Sequence, residues 1–191
     1  MATKVMLIRH GEKPSVPEAS GEAISYGLLE NGERSDYGLT VRGWQRAGAL
    51  AVFFSHEGAA FRPRSLVTPN AIFASAIGPH SRSLRMQQTV GPLQRKLGSS
   101  VTMNFDHKKG EEGAMVAAAL QSEGDVLICW SHEGIPIIAA KILGNSSAAP
   151  QVWPECRYDL VWVFDRQPGS LTWAFRQEPQ MLLGGDCPDV L

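Results

Sequence analysis

The sequence is poor in the features that mark specialised protein classes. It has three cysteines, Cys129, Cys156 and Cys187, an odd number without C-x-x-C spacing. That argues against a disulfide framework and fits a reducing, cytoplasmic compartment. No basic run exceeds two adjacent residues and the net charge is −1, so no nucleic-acid partner and no electrostatic membrane anchor are expected. No stretch approaches the ~18 apolar residues of a membrane span, and no signal peptide is expected. His10 and His132 have no Cys, Asp or His nearby at ligand spacing, so neither metal nor cofactor is expected. Internal repeats and low-complexity tracts are missing. What remains is 191 residues, 43% hydrophobic and 19% charged, the composition of one globular domain spanning residues 1–191.

Against that plain background, Lys4 to Lys13 stands out, reading K-V-M-L-I-R-H-G-E-K. Val5 to Ile8 is an unbroken apolar run, as in a strand buried on both faces, and it stops at Arg9-His10-Gly11-Glu12. Polar residues at the end of such a strand fall at the sheet edge where open α/β proteins bind ligands. Gly11 lets backbone approach a ligand closely. A neutral imidazole is a nucleophile, and a guanidinium is a fixed cation whose fork matches phosphate oxygens. Taken alone, the decapeptide reads equally well as a strand ending in solvated polar side chains.

A second histidine favours the chemical reading. Asp125 to Pro136, D-V-L-I-C-W-S-H-E-G-I-P, repeats the device: an apolar run from Val126 to Trp130, then Ser131-His132-Glu133-Gly134. Ser81 to Thr89, S-R-S-L-R-M-Q-Q-T, supplies Arg82 and Arg85 at the start of a helical pattern. A helix start favours an anion through its unpaired N–H groups and dipole, and an Arg on its first turn can reach the same anion.

Four motifs in order, R-H-G-E, L-T-V-R-G-W-Q-R-A at Leu39–Ala47, R-M-Q-Q-T at Arg85–Thr89 and S-H-E-G at Ser131–Gly134, resemble the histidine phosphatase superfamily, in its phosphoglycerate-mutase-like branch. The resemblance runs from Val5 to about Leu143. It implies His10 as nucleophile and Arg9, Arg85 and His132, with Gly11, around the phosphate; Arg82 rivals Arg85, and His80 stands third. The family commonly has S-P-x-x-R before this helix, whereas here the stretch is S-A-I-G-P-H-S-R-S-L-R, a longer loop. The family's general acid is a carboxylate in the region of Asp106 to Gly113, where Asp106, Glu111 and Glu112 compete. Glu133, directly after the second histidine, resembles the acid of the acid-phosphatase branch, and Glu111 and Glu133 stand level. The L-T-x-x-G motif is a packing element in the family.

The rest of the chain fills in an alternating pattern. Pro14 to Gly38 lacks periodicity and is expected to be a rim or flap over the site. Thr40 should cap a helix from about Val41 to Ser55, with Trp44, Ala47, Leu50 and Ala51 facing the core. Ala71–Ser75 and Val101–Phe105 read as strands, and Ser83–Leu97, Glu111–Leu120 and Gly134–Leu143 as helices. Asp159–Asp165 and Leu171–Gln177 read as a hairpin joined by R-Q-P-G-S, and Trp153, Trp162 and Trp173 as packing residues. The expected fold class is α/β: three layers, α/β/α, around a mostly parallel central sheet with an antiparallel edge.

The residues and the resemblance together suggest a metal-independent phosphatase that forms a phosphohistidine on His10. The substrate would be a small phosphorylated compound or a phosphoprotein. Two other readings are a phosphoglycerate-type mutase and a catalytically silent phosphate-binding protein. The 191-residue chain without a G-E-x-Y-like segment after Arg85 favours hydrolysis over transfer, and the intact histidines and arginines favour catalysis over silence. Specificity would come from Pro14–Gly38 and Ile77–Ser83.

Overall fold

The computed structural model of the chain describes residues 1–14, 25–79, 81–167 and 169–191. Its strands are β1 (Lys4–Arg9), β2 (Ala71–Ala74), β3 (Thr102–Asn104), β4 (Val126–Trp130), β5 (Leu160–Asp165) and β6 (Ala174–Pro179). They form one sheet in the order β3-β2-β4-β1-β5-β6. β3, β2, β4 and β1 run parallel, β5 is antiparallel to β1, and β6 is antiparallel to β5. The helices are α1 (Val41–Phe53), α2 (Arg85–Leu97), α3 (Glu112–Gln121) and α4 (Ile135–Leu143). This is the three-layer α/β/α arrangement with an antiparallel edge that the alternation of elements led us to expect.

The unbroken apolar run of β1 has a simple cause. The strand lies inside the sheet, flanked by β4 and β5, and helices cover both faces. Val5 and Leu7 join one buried cluster with Met115 of α3 and Ile138 of α4, while Met6 and Ile8 join the other with Leu50 of α1 and Val90 of α2. Each fully buried aliphatic side chain contributes roughly 1.5–3 kcal/mol. The residues following β1 are thus carried on one of the best-anchored strands of the molecule. β4 pairs with it in parallel register, Arg9 opposite Trp130, so both histidine-bearing turns leave the same edge of the sheet.

Helix α1 begins as its sequence suggests. The Thr40 hydroxyl accepts from the Gly43 amide at 3.1 Å, satisfying one otherwise orphaned donor. Ala47, Leu50 and Ala51 are buried, but Trp44 does not face the core. It is half-buried, and its indole N–H donates to the Leu28 carbonyl oxygen at 3.2 Å, so it packs under the preceding loop instead. α2 and α4 each begin later than their apolar patterns, at Arg85 and Ile135, and β6 begins at Ala174 rather than Leu171. In that hairpin Ser170 and Thr172 are taken up by the turn, where the Thr172 amide donates to the Ser170 hydroxyl at 3.1 Å. Trp153 and Trp162 are fully buried, and Trp173 is partly buried under the Arg166 guanidinium.

Part of the expected rim, residues 15–24, lies outside the described residues, as does His80. Its second half closes on itself through Leu28, which bridges both Arg34 and Leu39, and then packs on the start of α2. The Leu84 amide donates to the Tyr37 carbonyl at 3.0 Å. The tail, which carries no motif, is tied down as firmly as any element: Asp186 pairs with the buried Arg46 of α1. Among the described residues no helix is long and apolar enough to cross a membrane.

Candidate active site

His10 follows β1 directly and is buried, its amide donating to the Trp130 carbonyl oxygen at 3.1 Å. Its ring Nδ1 lies 2.7 Å from the Gly11 carbonyl oxygen. A carbonyl only accepts, so Nδ1 carries the hydrogen and Nε2 keeps the lone pair. Burial, above all, pushes the imidazole well below its ordinary pKa; the bond to Gly11 opposes this, and the positive surroundings of Arg9, Arg85 and His132 reinforce it. The ring is neutral, and Nε2 is the nitrogen with the free lone pair. Those same electrostatic partners place the first four residues of interest in one neighbourhood.

Thr89 explains why an arginine stands four residues before a threonine. Its hydroxyl donates back to the Arg85 carbonyl at 2.7 Å and accepts from the Gly11 amide at 2.8 Å. The first turn of α2 is therefore bolted to the turn that carries His10. Arg85 is itself held by the loop before α1, donating from Nη1 to the Asp36 carbonyl oxygen at 3.1 Å. Gly11 also meets α1: a Cβ there would lie 2.9 Å from the Gly43 carbonyl oxygen. The L-T-x-x-G stretch is the packing element expected of it, and what it packs against is the loop that follows His10.

Arg9 is fully buried and is gripped from the β5 side. Its Nη1 donates to the carbonyl oxygens of Pro154 (3.3 Å), Glu155 and Arg157 (2.9 Å), and Nη2 to the Tyr158 hydroxyl at 3.1 Å. The guanidinium also lies over the Tyr158 ring, 3.8 Å from its centroid. Among the described residues three buried side-chain polar atoms lack a hydrogen-bond partner: Nε of Arg9, Nε of Arg85 and Oγ of Ser81. Leaving such a donor unmet costs roughly 1–3 kcal/mol. Two of the three belong to the guanidiniums that act on the charge of His10.

His132 sits at the end of β4, mostly covered, and its pKa is also lowered, first by burial and then by Arg9. Glu133 lies 3.3 Å from its Nδ1. Burial alone would raise the Glu133 carboxyl, but bonds from its own amide and the Ser131 hydroxyl, with His132 nearby, outweigh it and hold the group below the ordinary carboxylate range. The charge of Glu133 is felt at both Arg9 and Arg85. Glu111 turns back on its own loop, accepting from the Lys108 amide at 2.7 Å, and is exposed. Glu112 is buried and accepts from the Trp130 indole at 2.9 Å and the Gly110 amide at 3.0 Å. Asp106 bonds Asn104, and Arg82 is exposed, reaching the Tyr37 hydroxyl at 3.5 Å. Among the described residues no group of three or more His, Cys, Asp or Glu could hold a metal ion.

No family model matches the sequence, and neither does any curated protein. Solved structures do. A protein histidine phosphatase, SixA, in complex with tungstate, shares 16% identity over 93% of this chain and 97% of its own, with a TM-score of 0.53. A mycobacterial glucosyl-3-phosphoglycerate phosphatase, Rv2419c, in complex with VO3, shares 14% over 91% and 97%, at 0.51. The ecdysone phosphate phosphatase of Bombix mori, in complex with tungstate, shares 12% over 98% and 95%, at 0.51. The chain has the histidine phosphatase fold. At these identities the agreement is one of architecture, and it covers nearly the whole length of both partners.

Within that histidine phosphatase fold, the sequence reading missed the segment before β5. Nothing in W-P-E-C-R-Y-D at Trp153–Asp159 forms a motif. The signal is topological: β5 runs antiparallel to β1, with Ile8 opposite Val161, so the residues just before β5 pass the end of β1 where Arg9 and His10 lie. At the rim Lys13 pairs with Glu155, and Lys13 acts on the charge of His132.

Proposed function

We propose that the protein is a phosphatase that hydrolyses a phosphate monoester through a phosphohistidine on His10, without a metal. The observation that carries this reading is a buried, neutral imidazole, its Nδ1 turned to the Gly11 carbonyl oxygen, with Arg9, Arg85 and His132 acting on its charge. The Nε2 lone pair of His10 attacks phosphorus, and the bond from phosphorus to the ester oxygen breaks. Glu133 gives the leaving oxygen its proton. A water then attacks the phosphohistidine, passes a proton to Glu133, and releases inorganic phosphate and free His10. Arg9, Arg85 and His132 offset the charge on the equatorial oxygens, and the loss of one such donor costs ~100- to 1000-fold in rate.

Glu133 is favoured over Glu111 as the acid because its charge reaches both guanidiniums, whereas Glu111 is spent on the Lys108 amide. Residues 1–191 would act as one unit on a small phosphorylated compound or a phosphoprotein. The names of the structural neighbours are those of phosphatases with unlike substrates, and tungstate, seen with two of them, is a tetrahedral oxyanion like phosphate. Three free cysteines support a reducing, cytoplasmic setting. The test is turnover of p-nitrophenyl phosphate in the presence of a chelator: release of phosphate is expected, and a wild-type protein that binds tungstate without turnover would show a silent phosphate-binding protein instead.

A further inference from the structure

We propose that Tyr158 is a further catalytic residue, whose hydroxyl donates its hydrogen to an oxygen of the phosphate held by Arg9 and Arg85. The proposal rests on the phosphatase reading above.

The argument is one of donors and acceptors. A phenol has a single O–H donor, and its oxygen also accepts. The oxygen of Tyr158 accepts from Arg9 Nη2 at 3.1 Å. A guanidinium has no acceptor to offer in return, so the Tyr158 hydrogen is directed elsewhere. Among the described residues no acceptor receives it, and Tyr158 is only partly buried. The His10 ring lies 6.2 Å away between centroids, Arg9 stacks on its face, and Arg85 feels it electrostatically, as both guanidiniums feel Glu133. One neighbourhood thus holds three donor groups, the Arg9 and Arg85 guanidiniums and the Tyr158 hydroxyl. A tetrahedral oxyanion has enough oxygens for all three. A neutral donor adds something the arginines do not: it follows charge as it builds on an equatorial oxygen without adding a cation that would hold the released phosphate.

The rival role is packing, in which the Tyr158 ring merely supports Arg9. Tyr158→Phe separates the two, because it keeps the ring and removes only the O–H. We expect kcat on p-nitrophenyl phosphate to fall at least about 10-fold, with KM changed less and with weaker inhibition by tungstate. The thermal unfolding temperature should fall slightly, because Arg9 Nη2 loses the Tyr158 oxygen as an acceptor. Wild-type kcat in Tyr158→Phe, alongside a large loss in Tyr158→Ala, would assign Tyr158 to packing and overturn the proposal. Should Tyr158→Phe not fold, a crystal structure of the wild type with tungstate decides. The Tyr158 oxygen within about 3 Å of a tungstate oxygen supports donation; tungstate bound beside His10 with Tyr158 out of reach overturns it. The phosphatase reading itself fails on a different result, wild-type protein without turnover.

Discussion

Arg46 and Asp186 stand 140 residues apart in sequence and meet in two hydrogen bonds of 2.8 and 3.2 Å, each side chain 2% exposed. Arg46 holds Glu12 in the same grip, at 2.8 to 3.2 Å, and Glu12 is the residue after Gly11. The tail and α1 therefore clamp the loop that follows His10. Burial alone would raise the Asp186 carboxyl; the bond from Arg46, with those from the Leu183 and Leu182 amides, outweighs burial and holds it below the ordinary range. A carboxyl with a depressed folded-state pKa stabilises the fold above its unfolded value of ~3.9 and loses that contribution as pH falls further. Asp186→Ala should cost about 3 kcal/mol at neutral pH, since Glu12 still pairs with Arg46, and less at acid pH. Denaturant unfolding of both proteins at pH 7 and near pH 3 checks this; an equal cost at both would show that the ion pair is not its source.

Gly11→Ala tests the meeting of that loop with α1. The new methyl would lie 2.9 Å from the Gly43 carbonyl oxygen and 3.1 Å from its Cα, both backbone atoms that cannot turn aside. We expect a loss of roughly 1–3 kcal/mol in stability. Activity should fall further than stability explains, because the displaced residue is the neighbour of His10. Unfolding and kcat/KM measured together check it, and unaltered kcat/KM would mean the turn adjusts freely.

The buried His10 makes a prediction about pH. Its pKa is lowered, so the folded protein refuses a proton that the unfolded chain accepts below ~6.5. Stability tied to this group is complete above that pH and is lost as pH falls below it. For the same reason kcat/KM should not drop as pH passes through 6.5 from above on account of His10. A titration below ~6.5 that disappears in His132→Asn would belong to His132, whose pKa is also lowered; one near ~6.5 that persists in that variant would contradict the neutral His10.

Glu133 and Glu111 are separated by leaving groups. Because the carboxyl of Glu133 is held low in the free protein, it becomes an acid only when a phosphate dianion beside it raises its pKa. Glu133→Gln should lose ~100- to 10,000-fold on an alkyl phosphate and far less on p-nitrophenyl phosphate, whose leaving group needs no proton. Glu111→Gln should behave as wild type on both. An equal effect of Glu133→Gln on the two substrates would remove it as the acid.

Much of the fold could be read from the chain because burial on both faces writes itself as unbroken apolar runs, as at Val5–Ile8 and Val126–Trp130. The helix caps and hairpin were readable for local reasons, though element ends shifted by a few residues where turns claimed their hydroxyls. The positions of Arg9, His10, Arg85 and His132 were legible because each ends a strand or opens a helix. Tyr158, the carbonyls of residues 154, 155 and 157, and Asp186 were not, because their roles come from an antiparallel β5 and a returning tail. Trp44 was misread as core because helical spacing does not distinguish a face covered by a sheet from one covered by a loop.

The central claim is covalent: His10 carries the phosphoryl group. Rapid acid-free denaturation of the wild type during turnover of a radiolabelled phosphate ester should trap label that is stable in alkali and lost in acid. His10→Ala should trap none while still binding tungstate. Label retained at wild-type level in folded His10→Ala would contradict the account, because the phosphoryl group would then rest on another residue.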